Sequence, residues 1–156
     1  MVTEMLPGTA LEKDRVVPGT AMTEASSGTE VSMWDFRQRS SVVVCFLHDR
    51  CEPCAGYARE LAGLQDDLHE VDARAIVVLN EPEDLDLPVW IDGPGRARQR
   101  FLAPDAELPV LLIVDRYGAA WRSFPARDHA FPAPAEVVAT LRHLAFQCPE
   151  CGVSEW

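Results

Sequence analysis

Four of the five cysteines fall into two Cys-x-x-Cys pairs, Cys51-Glu52-Pro53-Cys54 and Cys148-Pro149-Glu150-Cys151. Sulfurs at this spacing can close a disulfide across about one helical turn, or hold a soft metal as paired thiolates. Context separates the two pairs. The first follows an almost uncharged, β-branched run, Ser41-Val42-Val43-Val44-Cys45-Phe46-Leu47. It precedes a helical pattern in which Tyr57, Leu61, Leu64 and Leu68 recur every three or four residues. A strand that delivers a Cys-x-x-Cys to the head of a helix is a redox context. There Cys51 would face unpaired backbone N–H groups and the positive end of the helix dipole. Both favour the thiolate, which is the attacking species in disulfide exchange. Cys51 is the expected nucleophile and Cys54 the less exposed resolving thiol. Pro53 suits a first helical turn, where its missing N–H costs nothing. Arg50 favours a thiolate at Cys51, and Glu52 opposes it. The competing reading is an inert or metal-bound pair.

The second pair, Cys148 and Cys151, lacks a flanking strand or helix. With Gly152 after it, it has the form of one zinc knuckle, and a structural zinc needs four ligands. The tail could fold back onto Cys51 and Cys54, or two chains could each donate a knuckle across a homodimer axis. It could also be an auxiliary redox dithiol that exchanges with Cys51–Cys54, which is the favoured completion, or a tail without function. The fifth cysteine, Cys45, reads as a small buried hydrophobe. His48, beside the first pair, either tunes it or is a surface residue. His69, His129 and His143 have no partner at ligand spacing and are expected on the surface or on helix faces.

The rest of the chain limits the setting. It has 156 residues, enough for one domain with a substantial core, and 47% of them are hydrophobic. The net charge of −11 disfavours nucleic acid and anionic membranes as partners. No apolar run reaches the ~18 residues that span a bilayer. Met1 to Pro7 lacks the basic start and apolar stretch of a secretory signal, so a cytoplasmic setting is expected. Thiols stay mostly reduced there, and Cys-x-x-Cys pairs are more often catalytic or metal-binding than structural.

Residues 1–28 are rich in Gly, Pro, Thr, Ser and Glu and read as a mobile tail or loose hairpin. Pro7-Gly8 and Pro18-Gly19 each suggest a type II turn, with glycine at positive φ. A single domain is expected over 29–146, followed by a C-terminal tail, 147–156. Within the domain, residues 30–39 suggest a short strand and turn. Strands are expected at 41–47, 74–79, 88–92 and 108–115, with a hairpin partner at 119–124. Helices are expected from Ala55 onward, at 96–101 and at 135–146. Trp90 and Trp121 read as core. This order of βα units, then a hairpin and a last helix, gives an α/β sandwich around a mixed sheet.

At this point the chain resembles a known superfamily. Phe46-Leu47-His48-Asp49-Arg50-Cys51-Glu52-Pro53-Cys54 is similar to the thioredoxin active-site segment. Val31-Ser32-Met33-Trp34-Asp35-Phe36-Arg37, Leu87-Pro88-Val89-Trp90-Ile91-Asp92 and the stretch from Glu107 to Gly118 resemble successive segments of one branch of it. That branch holds the TlpA/ResA-type thiol–disulfide exchange proteins and the AhpC/TSA peroxiredoxin-like proteins. The resemblance covers about residues 29–146 and implies a thioredoxin-like sandwich. It also implies a cis Leu108–Pro109 bond that lies against Cys51 and presents backbone groups to a substrate chain. By residue chemistry alone, Pro109 could equally be a trans proline at a strand start. Three departures stand out. Arg50 replaces the tryptophan that often precedes the first cysteine. Cys45 occupies the place of a buried acid that relays the resolving thiol's proton, a task that His48, Asp49, Glu52 or water would have to take over. Peroxidatic cysteines usually follow a threonine at minus three and a proline at minus seven, where this chain has His48 and Val44.

Three functions follow as expectations. The first is thiol–disulfide exchange by Cys51 and Cys54 on a protein or small-molecule disulfide, with no required cofactor and an unspecified upstream reductant. The second is a peroxiredoxin-like antioxidant activity through a sulfenic acid at Cys51. The third is a non-enzymatic binding module stabilised by zinc at Cys148 and Cys151.

Overall fold

A computed structural model of the protein describes residues 4–146. The tail 147–156, with Cys148 and Cys151, lies outside the described residues. Seven strands form one mixed sheet: β1 (Met22–Glu24), β2 (Glu30–Val31), β3 (Ser41–Phe46), β4 (Ala73–Leu79), β5 (Val89–Ile91), β6 (Val110–Val114) and β7 (Ala120–Pro125). Their order is β2-β1-β5-β4-β3-β6-β7. Strands β3, β4 and β5 run parallel, and the remaining neighbours pair antiparallel. The helices are α1 (Glu52–Ala62), α2 (Gln65–Glu70), α3 (Arg96–Phe101) and α4 (Pro134–Ala145).

The central strand β3 is buried along its whole length, as its Val-Val-Val run requires. Its side chains alternate between the two faces of the sheet. Val43, Cys45 and Leu47 join a core with Tyr57, Ala58 and Leu61 of α1 and Val137 and Leu141 of α4. Val42, Val44 and Phe46 join the opposite core with Ala97 and Phe101 of α3. The single helical pattern expected from Ala55 to Leu68 is two helices. Gly63 ends α1, and Asp66 and Asp67 occupy the first turn of α2, where acidic groups favour a new start. Trp90 is buried, whereas Trp121 is only partly covered, with Lys13 Nζ 4.9 Å from its ring centroid.

The N-terminal segment corrects the expectation of a mobile tail or loose hairpin over 1–28. Leu6, Leu11, Val17 and Met22 are buried in the core on the α3 face. Met22 belongs to β1, which adds to the sheet edge through Thr23 and Glu24 against β5. Backbone bonds clip the segment elsewhere, from Ala10 N–H to Phe101 O at 2.9 Å and from Val17 N–H to Gly118 O at 2.8 Å. Composition misleads here because four apolar residues, widely spaced among turn formers, cover one continuous strip of core. Gly8 does adopt a positive φ of 74°. Gly19 does not: it lies under the Trp34 ring, where a Cβ would come within 2.5 Å of Cδ2. Trp34 Nε1 donates to Val17 O at 2.8 Å, locking the same contact.

This packing is testable. Leu6→Ala should lower the unfolding free energy in urea by about 2–4 kcal/mol, the usual range for a buried leucine. A change within about 0.5 kcal/mol, normal for surface positions, would restore the loose-tail reading.

Candidate active site

The carboxyl end of β3 leads through Leu47 and His48 into the Cys-x-x-Cys. Cys51 is the N-cap of α1, in extended conformation, with no side-chain cap bond. Cys51 is half-buried, and Cys54, one turn on, is buried. Both are free thiols, as is buried Cys45. Glu52 and Pro53 are exposed in the first turn of α1. Two residues tie down the loop before Cys51. Asp49 accepts from Asn80 N–H at 3.0 Å and Glu81 N–H at 2.8 Å. Arg50 turns its guanidinium to Glu81 at 3.4 Å, and its own N–H meets Glu83 at 3.4 Å. Arg50 is therefore partnered with the acidic loop.

Across from these residues stands His129, whose Nε2 lies 3.3 Å from Cys51 Sγ. His129 was expected on the surface, and the structure corrects that. It sits 78 residues from Cys51 in a proline-rich loop, and no local spacing signals the contact. The loop is held from several sides. Ala126 N–H donates to Pro109 O at 2.9 Å, and Arg127 makes a two-pronged pair with Glu107 at 3.1 Å. That guanidinium holds the Glu107 carboxyl below its ordinary range. Tyr57 Oη donates to Pro132 O at 2.8 Å, and its ring stacks on Phe131 at 4.2 Å. Asp128 and His129 both take left-handed backbone conformations, as does Arg50 directly before Cys51. Each costs about 1–2 kcal/mol in a non-glycine residue. Three such residues flank one sulfur, and strain of this kind gathers at functional sites.

The surroundings of Cys54 are equally defined. Burial pushes the Cys54 thiol up to about 12, helped by its hydrogen bond with Cys51. Burial does the same to Cys45, also about 12, so Cys45 is a neighbouring thiol and not a proton acceptor. His48 Nδ1 lies 3.9 Å from Cys54 Sγ. Asp49 is occupied by backbone N–H groups, which leaves His48 as the side chain placed to receive the Cys54 proton. The two imidazoles approach each other, with ring centroids 5.3 Å apart. His69 and His143 are exposed on helix faces, away from the cysteines.

The Leu108–Pro109 bond is cis. Pro109 is buried and directly precedes Val110, which pairs with Phe46 at the end of β3. Leu108 is partly covered by the core on the α3 face. Beside Cys51 runs an open groove of about 580 Å³, lined by Pro53, Tyr57, His129, Phe131, Pro132 and Pro134 among others.

No protein-family model and no curated protein matches the chain. Solved structures do. Peroxidoxin BcpB from Mycobacterium tuberculosis superposes with a TM-score of 0.70 at 17% identity, covering 88% of this chain and 99% of its own. A candidate protein disulfide isomerase from Bacteroides thetaiotaomicron gives 0.71 at 15%, covering 92% and 96%. A candidate thiol:disulfide interchange protein DsbE from Chlorobium tepidum gives 0.65 at 18%, covering 85% and 99%. The chain has the thioredoxin-like fold. Its mixed sheet with helices on both faces is the sandwich expected from the sequence, with the N-terminal segment built into the fold. Among the described residues no helix is long and apolar enough to cross a membrane.

Proposed function

We propose that the protein is a thiol–disulfide oxidoreductase. The observation that carries this reading is the division of labour between two free thiols one turn apart. Cys51 is accessible and in contact with a histidine, and Cys54 is buried and held as a thiol. Cys51 gives its proton to His129 and attacks one sulfur of a substrate disulfide. A mixed disulfide forms, and the other substrate sulfur leaves as thiolate. Cys54 then loses its proton to His48 and attacks the Cys51 sulfur. The Cys51–Cys54 disulfide closes, and the second substrate thiol departs. The substrate gains two electrons and the protein loses two, which an external dithiol must return.

The open groove that runs from His129 past Phe131 and Pro132 to Arg59 and Glu60 is mixed in character, with apolar and charged walls, and favours a polypeptide substrate, whose backbone and side chains offer both kinds of contact. Pro109 O accepts from Ala126 N–H at 2.9 Å, which ties the cis-proline to the loop that carries His129. In this reading Cys148–Cys151 is a second dithiol able to exchange with the first.

Cys54→Ser should trap the intermediate. Incubated with a disulfide-bonded protein such as insulin, this variant should accumulate an adduct through Cys51 that dithiothreitol reverses. Adding Cys148→Ser and Cys151→Ser should raise the yield if the terminal pair resolves the adduct. If no adduct forms in either background, the exchange reading is lost. Rapid Cys51-dependent consumption of peroxide would put the antioxidant activity in its place.

A further inference from the structure

Four potential ligand atoms converge at this site more tightly than disulfide exchange requires. The sulfurs of Cys51 and Cys54 and one ring nitrogen each from His48 and His129 all lie within 4.8 Å of one another. An ideal tetrahedral zinc site, with Zn–S of ~2.3 Å and Zn–N of ~2.0 Å, has S···N edges of about 3.5 Å and S···S edges of about 3.8 Å. The two S···N contacts, 3.3 Å from Cys51 to His129 and 3.9 Å from Cys54 to His48, bracket that edge. The two rings are tilted by 52° to each other, and each meets a sulfur through a ring nitrogen, His129 Nε2 to Cys51 and His48 Nδ1 to Cys54.

The ligands come from two loops that are anchored separately. Asp49 fixes the His48 side through the Asn80 and Glu81 N–H groups. Glu107, Pro109 and Tyr57 fix the His129 side. The left-handed backbone at Asp128 and His129 belongs to the turn that brings the imidazole over the sulfur. Two thiolates and two imidazoles suit zinc and reject hard cations such as magnesium or calcium. The two thiolates neutralise Zn²⁺, so the complex carries no net charge in its half-buried setting.

We propose that the reduced protein binds one Zn²⁺ through His48, Cys51, Cys54 and His129. The proposal stands on ligand geometry and does not depend on the exchange activity. Binding replaces two S–H bonds with two Zn–S bonds and releases two protons, with no change of oxidation state. Zinc and the Cys51–Cys54 disulfide are then mutually exclusive. A disulfide R–S–S–R that oxidises the zinc-bound pair yields the Cys51–Cys54 disulfide, free Zn²⁺ and two R–S⁻. The site is thereby a redox-released zinc store, or equally a zinc-capped dithiol.

The test uses the full chain carrying Cys148→Ser and Cys151→Ser, so that the terminal thiols contribute nothing. The reduced, metal-free protein is titrated anaerobically with Zn²⁺ against a chromophoric chelator, and separately with Co²⁺. One zinc per chain is expected, together with the intense visible bands and thiolate charge transfer of tetrahedral cobalt. His48→Ala and His129→Ala should each weaken zinc at least about 10-fold, as loss of even an outer-shell partner can. The oxidised protein should bind none. Absence of stoichiometric zinc, a weak octahedral cobalt spectrum, or affinity indifferent to both histidines would each overturn the proposal. The cobalt spectrum of the parent protein does not depend on how either histidine variant folds.

Discussion

Cys51→Ser should abolish dithiothreitol-driven reduction of insulin disulfides, with a loss on the order of 10³-fold or more, as removal of an enzyme's nucleophile does. The hydroxyl that replaces the thiol is not ionised near neutrality and does not attack sulfur. Stability should move the other way. Cys51 occupies the N-cap of α1 without making a capping bond, and serine is among the best residues for that position. The variant should gain roughly 0.5–1 kcal/mol through a bond from its hydroxyl oxygen to a first-turn N–H. Lost turnover with an equal or higher melting temperature cannot come from misfolding. Turnover that survives in Cys51→Ser would remove Cys51 from the centre of the mechanism.

The second large effect lies away from the sulfurs. Asp92 is buried and caps α3, accepting from the backbone N–H of Ala97 and of Arg98, each at 3.0 Å. Its carboxylate also pairs with the Arg98 guanidinium at 3.6 Å. Arg98 reaches on to Val78 O at 3.2 Å, Leu47 O at 3.5 Å and Asn80 Oδ1. It thus ties together the ends of β3 and β4, where the loop to Cys51 begins. Burial pulls the Arg98 guanidinium down from its ordinary range, and Asp92 opposes that pull. Asp92→Ala removes the cap and leaves a largely buried cation without its paired counter-charge, for which the cost of breaking a buried pair, about 3–5 kcal/mol, is the upper range. Urea unfolding should show a loss of that order. The double variant Asp92→Ala, Arg98→Leu should be less destabilised than Asp92→Ala alone, because it removes the unpaired charge as well. Equal losses in the two would mean that the pair acts only through the helix cap.

Both predictions rest on residues that the sequence exposes unequally. Cys51 announces itself through the motif, its preceding strand and the helix after it. Asp92 reads only as a residue at a strand end before Gly93-Pro94-Gly95, and its pairing with Arg98 depends on how α3 folds back over the sheet. The N-terminal segment shows the same limit from the other side. Its turn-forming composition describes the local backbone correctly around Gly8. Burial of Leu6, Leu11, Val17 and Met22, however, depends on a strip of core assembled from β5, α3 and β6.

Local chemistry in the sequence determined the dithiol, the helix that begins at it, the fully buried central strand and hence the sandwich. These follow from periodicity and spacing within a few residues, where chain geometry leaves few alternatives. The tertiary structure alone decided which histidines meet the sulfurs. His48 is near in sequence, but only the loop pinned by Asp49 turns it to Cys54. His129 arrives from a separate loop fixed by Glu107, Pro109 and Tyr57. A contact 78 residues apart leaves no period in the chain, because it is set by the packing of two loops at one end of the sheet. That packing turned one Cys-x-x-Cys into a cluster of two sulfurs and two imidazoles.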